Sequence, residues 1–280
     1  MGDLRNVVVG LLERRHPSGW RGSLVTDLVP ALERRGAAVR LVHAEEGVHR
    51  IDRPPAWDVT VLKSGSAAAL HLAAAAAGFG IPSVNDPEAT RLAQDRLAVA
   101  AVLISAGLPV PGARLAWLGT GALHSAAAIA GHGPLLVKAA RGSGGCGLWP
   151  VEPGQLPRAA RELPPGPYLL MDRLPRHGED LKVFVAGGWM RAIRRAFPAI
   201  SLSDKRGRPA PIEPGVEEAA RLVGELLGLN CYGVDFIATP DGWRLVDVNA
   251  FPGYKGAGGA AEAIAEAIAE TLAGRVQEAG

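Results

Sequence analysis

The chain has 280 residues, 48% hydrophobic and 21% charged, an ordinary globular composition with length enough for two or three packed subdomains. A net charge of +2 gives no global field for nucleic acid, and with only Cys146 and Cys231 neither a disulfide framework nor a zinc site is indicated. The 36 glycines and 22 prolines are scattered between periodic segments and read as punctuation.

Residues 6–12 carry a buried-strand pattern that runs directly into Glu13, Arg14 and Arg15, without the small-residue cleavage site of an export signal. A helix is expected over 23–35, closed by Gly36, with Pro30 kinking it or moving its start. Strands follow at 38–43 and 59–63, a helix at 67–77 and a short strand at 81–84. This alternation predicts a small parallel sheet. The Ala-rich stretch at 67–81 is broken by His71, Gly78 and Gly80 and is too short to span a bilayer. Two free cysteines and no membrane segment fit a reducing cytoplasm.

Asp86, Pro87 and Glu88 open a helix expected to reach Ala106, where Gly107 and Pro109 stop it. A strand-rich region with many turn residues follows. The Pro-rich segment 156–167 reads as a linker to a final domain. The last seventeen or so residues predict a helix with Ile264, Ile268 and Leu272 on one side and Glu262, Glu266 and Glu270 on a solvated face.

Two segments carry chemistry. The first is Lys138 followed by a glycine-rich loop holding Gly142, Ser143, Gly144, Gly145 and Gly147. A glycine-rich hairpin turn is the ordinary explanation. The loop leads into extended sequence, not the helix that a dinucleotide fingerprint needs. What remains is a hairpin lid whose backbone N–H groups close over phosphates, with Lys138 as a fixed positive charge.

The second is the pair of β-rich runs 232–239 and 243–249 around Pro240-Asp241-Gly242, a hairpin signature. With a three-residue loop Thr239 faces Trp243, and counting back sets Asp235 opposite Asp247, with Asn249 on the same face. Facing carboxylates among apolar neighbours repel each other unless a cation lies between them, and hard oxygen ligands suit Mg²⁺. The alternative is a solvent-facing polar side of an antiparallel sheet.

Together, these motifs, with Asn85-Asp86, Asp95-Arg96, residues 178–185 and Asp247-Val248-Asn249-Ala250-Phe251-Pro252-Gly253-Tyr254, resemble the ATP-grasp superfamily across nearly the whole chain. The branches they resemble are the ribosomal-protein glutamate ligases and the inositol-phosphate kinases. The resemblance implies an α/β (α+β) fold: a Rossmann-like domain at 1–90, a central subdomain with the lid at 91–165, and a C-terminal subdomain with the metal site at 166–280. It also implies ATP and Mg²⁺ as cofactors, with two ions expected and Mn²⁺ as a substitute. Asp235, Asp247 and Asn249 match the metal ligands and Lys138 a phosphate lysine. Asp172, Arg173 and Leu174 match the adenine-reading hinge, and Asp180 a ribose contact. Two positions depart from the pattern. Arg96 stands where the family has a second nucleotide lysine, and the hinge is Met171-Asp172-Arg173 where a Gln-Glu-aromatic run is favoured.

Residues 191–208 hold six basic side chains (Arg191, Arg194, Arg195, Lys205, Arg206, Arg208) against one acid, Asp204. They form a solvated loop or an anion-binding wall. If Gly187-Gly188 is a two-residue turn, Lys182, Arg191 and Arg195 share a sheet face with Asp180, which makes Lys182 and Arg195 the candidates for contact with a transferred phosphoryl group. The expected activity is a carboxylate–amine ligase, against a polyol or inositol-phosphate kinase and a non-catalytic nucleotide-binding module. The partner is a small molecule or peptide with a carboxylate or other anionic group, and a homo-oligomer is left open.

Overall fold

Short apolar runs separated by helices build the first layer. In the computed structural model, which describes residues 2–15, 23–119, 133–142, 147–152, 154–175, 178–196 and 201–278, these runs form a parallel sheet. Strands β1 (Val8–Leu12), β2 (Ala38–Val42), β3 (Val59–Leu62) and β4 (Ser83–Val84) lie in the order β2-β1-β3-β4. Helix α1 (Leu24–Arg34) starts after Ser23 as expected and continues through Pro30, so the proline does not move its start. Its buried stripe of Leu24, Val25, Leu28, Ala31 and Leu32 offsets the backbone bond that Pro30 cannot make. Gly36 ends it at φ +91°, a left-handed conformation suited to glycine. Helix α2 (Ala67–Gly78) follows β3, capped by the Ser66 hydroxyl.

The single helix expected from Asp86 to Ala106 is two, α3 (Pro87–Ala93) and α4 (Arg96–Ser105). Asp95 is the cause. Its backbone is extended and its carboxylate accepts from the N–H groups of Leu97 and Ala98 at 3.0 and 3.1 Å, starting a new helix.

The central sheet is antiparallel. It contains β5 (Ala113–Leu118), β6 (Leu135–Ala139), β7 (Leu148–Val151) and β8 (Gly166–Asp172) in the order β5-β8-β6-β7. The expected linker at 156–167 instead contains helix α5 (Leu156–Glu162) and the first residues of β8. Leu156, Ala160 and Leu163 are buried with Leu118, Leu135, Val137 and Leu170, so apolar periodicity outweighs the prolines there. The central sheet thus takes a strand from beyond residue 165.

The third layer is an antiparallel sheet in the order β11-β10-β9-β12-β13. Its strands are β9 (Glu179–Ala186), β10 (Trp189–Ala196), β11 (Arg208–Ala210), β12 (Cys231–Thr239) and β13 (Gly242–Ala250). Helices α6 (Leu202–Arg206), α7 (Pro214–Leu227) and α8 (Ala260–Glu278) complete it. Ile264 and Ile268 of α8 are fully buried in one core with α1 and the parallel sheet. The glutamate face of α8 is not simply solvated, since Glu262 pairs with Arg34 and Glu266 with the buried Arg35.

Asn85 ties the first layer to the third. Its side-chain oxygen accepts from the N–H groups of Asn230 and Cys231 at 2.9 and 2.7 Å, and its amide donates to the Cys231 carbonyl at 2.7 Å. Among the described residues no helix is long and apolar enough to cross a membrane.

Candidate functional site

The β12–β13 hairpin sets the centre of the site. Asp235 pairs directly with Asp247, as expected, but through two departures that cancel. The turn is one residue tighter, with Thr239 opposite Gly242, which leaves Pro240 and Asp241 as the loop. A β-bulge then restores the register: Phe236 faces Leu245 while Asp235 faces Asp247, so Val246 has no counterpart. Asn249 follows on the Asp247 face, and its amide donates to Asp247 Oδ2 at 3.0 Å.

The bulge also aims a carbonyl. Lys138, on β6 of the central sheet and buried, donates from Nζ to the Val246 oxygen at 2.7 Å. This bond links the two sheets at the residue that the strand ladder leaves over.

Lys182 reaches Asp235 from the adjacent strand β9, and Arg195 from β10, one strand further. The Gly187-Gly188 turn forms, with Trp189 opposite Ala186, and the pairs Asp180–Arg195, Lys182–Ile193 and Phe184–Arg191 place the expected residues on one face. Lys182 Nζ lies 2.7 Å from Asp235 Oδ1, and Arg195 Nη2 lies 3.0 Å from Asp235 Oδ2. The rest of the basic stretch goes elsewhere. Arg194 lies 5.4 Å over the Trp243 ring, Arg208 pairs with Glu179 at 2.8 Å, and Arg191 stacks on Trp189 at 5.7 Å. Lys205 and Arg206 are exposed on α6, a helix held by a Ser201–Asp204 capping box.

Asp247 is half-buried, and its carboxyl is pushed above the ordinary range. Burial is the larger cause and the facing Asp235 the second, opposed by the charges of Lys138, Lys182 and Arg96. A carboxyl in that position gains most from a divalent cation. The donor set of Asp235, Asp247 and Asn249 fits Mg²⁺, which takes few protein ligands and completes its shell with water and phosphate oxygens. Among the described residues there is no group of three or more His, Cys, Asp or Glu that could hold a metal. Two carboxylates and an amide oxygen leave most of a magnesium shell to water and phosphate oxygens.

Arg96, at the first residue of α4, donates to the carbonyls of Ala139 at 3.0 Å, Gly142 at 2.9 Å and Gly147 at 3.5 Å. Gly142 and Gly147 frame the glycine loop; Ser143, Gly144 and Gly145, together with Cys146, lie outside the described residues. At the hinge, Asp172 pairs with Arg114 at 2.8 Å and Arg173 with Glu152 at 2.7 Å. The Asp172 and Arg173 amides donate to Gly112 and Pro134, at 2.8 and 2.9 Å, and Leu174 beside them is half-buried. Asp180 is buried and cross-strand from Arg195. An apolar pocket between the sheets has Leu169 and Met171 on one side, Leu245 and Val248 on the other, and Arg96, Lys138 and Asp247 in its lining.

Sequence reasoning missed the bulge, the Val246 carbonyl and the Arg114 partner of Asp172. None of the three is marked in the sequence: Pro240-Asp241-Gly242 fits a three-residue loop as well as the two-residue Pro240-Asp241 loop, and only the second needs Val246 looped out for the aspartates to face each other.

A parallel α/β unit followed by two antiparallel sheets with a cation-rich cleft between them is the ATP-grasp fold, and this chain has it. Within that class it resembles the ribosomal-protein glutamate ligases. It is 28% identical over 185 residues to a probable α-L-glutamate ligase of Haemophilus ducreyi, an alignment covering 62% of this chain and 59% of that protein. It is 27% identical over 249 residues to a probable α-L-glutamate ligase of Citrobacter koseri, covering 82% and 81%. A RimK-domain ATP-grasp protein from Sphaerobacter thermophilus superposes with a TM-score of 0.71 at 26% identity, over 95% of this chain and 99% of that one. No family model matches the chain.

Proposed function

We propose that the chain is an ATP- and Mg²⁺-dependent carboxylate–amine ligase that works through an acyl phosphate. The observation that carries this reading is the facing pair Asp235 and Asp247, bracketed by Lys182, Arg195 and Lys138 at the junction of two sheets. The relatives named ligases favour amide formation over phosphorylation of a hydroxyl.

In this reading Lys138 and the lid hold the triphosphate, the 172–174 backbone meets adenine, and Asp180 meets ribose. Asp235, Asp247 and Asn249 would hold Mg²⁺, two ions with Mn²⁺ as a substitute, which would neutralise triphosphate oxygens as charge moves onto the leaving ADP. Lys182 and Arg195 orient the acceptor carboxylate. Its oxygen forms a bond to the γ-phosphorus as the bond to the ADP oxygen breaks. An amine then attacks the acyl carbon, phosphate leaves, and the amine loses a proton. Lys182 and Arg195 stabilise charge on the transferred group in both steps. The glycine lid keeps water from the acyl phosphate. The acceptor is a small molecule or peptide carboxylate.

The test is Mg²⁺-dependent turnover of ATP against pooled amino acids, peptides and inositol phosphates, with mass spectrometry of products. A product lighter than its two substrates by one water, with phosphate released, supports the ligase. A product heavier than its acceptor by one phosphoryl group makes the chain a kinase.

A further inference from the structure

The chain leaves the β12–β13 hairpin through a strained turn. Phe251 and Tyr254 have φ values of 44° and 49°, left-handed conformations that large side chains adopt only where their surroundings over-determine them. Phe251 also precedes Pro252, and a following proline pushes a residue toward extended backbone. What holds the turn is tertiary. The Phe251 N–H donates to the Cys231 carbonyl at 2.8 Å, the same oxygen that the Asn85 amide reaches at 2.7 Å. The Tyr254 hydroxyl donates to the Val185 carbonyl on β9 at 2.6 Å. Both rings are buried, and the Tyr254 ring lies 5.3 Å from Phe184 and 6.4 Å, edge-on, from Phe251. Burial holds the Tyr254 phenol well above its ordinary range, so it stays a donor.

The same turn helps to wall in Lys182. Phe184, against the Tyr254 ring, is the next residue on the Lys182 face of β9, and the ammonium lies 5.6 Å from its ring centre. Pro252 borders the lysine at Gly233, where an added Cβ would come within 3.2 Å of both Pro252 Cγ and Lys182 Cε. At its tip the ammonium meets Asp235 Oδ1 at 2.7 Å. A lysine stem is flexible, so its charge is placed only by what packs around it.

From this geometry we infer that Tyr254 is a positioning residue: its hydroxyl bond to Val185 and its ring against Phe184 keep the left-handed turn in place, so that Phe184 and Pro252 hold the Lys182 ammonium in one position. The inference deepens the reading above that Lys182 acts on the transferred phosphoryl group, and its catalytic consequence rests on that reading. Tyr254 acts through Lys182 and not on the substrate. The strain then has a use, because relaxing either φ would draw Pro252 away from the lysine.

The test compares Tyr254→Phe, which keeps the ring and removes the hydroxyl, and Pro252→Ala, at a half-buried position, with the unaltered chain. Amide hydrogen exchange and the Lys182 ammonium signal in proton–nitrogen NMR are read without substrate, and kcat and KM with the acceptor found by the turnover screen. In Tyr254→Phe, exchange at the Phe251 N–H and at the Lys182 ammonium should each rise about 10-fold, the scale of one lost buried hydrogen bond, while Val183 and Val234 in the same sheet keep their rates. Pro252→Ala should speed the ammonium by a similar factor. Both variants should lower kcat by about 5- to 10-fold with the ATP KM changed by less than about 2-fold. The proposal is overturned if the ammonium is unchanged in both variants, or if exchange rises while kcat holds, the behaviour of a purely structural tyrosine. If Tyr254→Phe does not fold, Pro252→Ala decides by the ammonium and kcat. If even the unaltered chain turns over no substrate, the ligase reading fails, and the ammonium exchange still decides whether Tyr254 places Lys182.

Discussion

The two sheets that meet at the site hold their cations in opposite ways. In the C-terminal sheet Lys182 and Arg195 both pair with the carboxylate of Asp235, so one of the two positive charges is neutralised within the cluster. In the central subdomain Lys138 donates to the Val246 carbonyl and Arg96 to three lid carbonyls. Carbonyl partners satisfy hydrogen bonds without removing net charge. The described contacts of the central cations are thus to carbonyls, whereas those of the C-terminal cations are to a carboxylate; under the proposed function, a metal ion at Asp235 would loosen the second pair and not the first.

That contrast can be broken from either side, and the largest effect is expected at the facing aspartates proposed to hold the metal. Asp247→Asn keeps the shape and removes one charge. Turnover should fall by roughly 10³-fold, the scale of losing an electrostatic contact made in the transition state. The melting temperature should hold or rise, because burial and Asp235 both oppose the Asp247 charge. A variant that loses both activity and stability would mean the carboxylate is a structural partner. Next is Arg195→Ala, expected to lower kcat by about 10²-fold with the ATP KM changed by less than about 3-fold. An unchanged kcat would remove Arg195 from the chemistry. On the opposite side, Lys138→Met should raise the ATP dissociation constant by roughly 10-fold and leave the Val246 carbonyl without its donor. Calorimetric titration with a non-hydrolysable ATP analogue checks it, and unchanged affinity would contradict the proposed phosphate contact of Lys138.

How much of this was legible in the sequence follows the same division. The C-terminal face was readable because period-2 alternation and two short turns dictate which residues share a side, and Asp180, Lys182, Arg195, Asp235 and Asp247 all obey it. The hairpin came out right although the loop was one residue shorter than expected, since the bulge at Val246 restored the register. The central side was not readable in this way. The acceptors of Lys138 and Arg96 are backbone oxygens on distant segments, and no side-chain pattern marks a carbonyl. The broken helix at Asp95 escaped for a different reason: continuous apolar periodicity hid a capping aspartate inside a helical pattern. Asn85, which stitches β12 to the first layer, is visible only once the tertiary fold brings Cys231 to it.

The smallest expected effect tests how tightly the C-terminal cations are seated. Gly233 lies opposite Asn249 on β12, and a Cβ placed there would come within 3.2 Å of both Lys182 Cε and Pro252 Cγ. Its backbone is ordinary strand, so alanine costs no conformational strain and only the contacts matter. Proline cannot yield, but the lysine end can swing by a few tenths of an ångström, which lengthens its 2.7 Å bond to Asp235 Oδ1. Gly233→Ala should therefore change kcat by about 3- to 5-fold while leaving the melting temperature within about 2 °C, because a displaced ammonium loses a fraction of its interaction and not all of it. A loss as large as that of Arg195→Ala would show that the position of Lys182, and not merely its charge, is what the C-terminal sheet is built to hold.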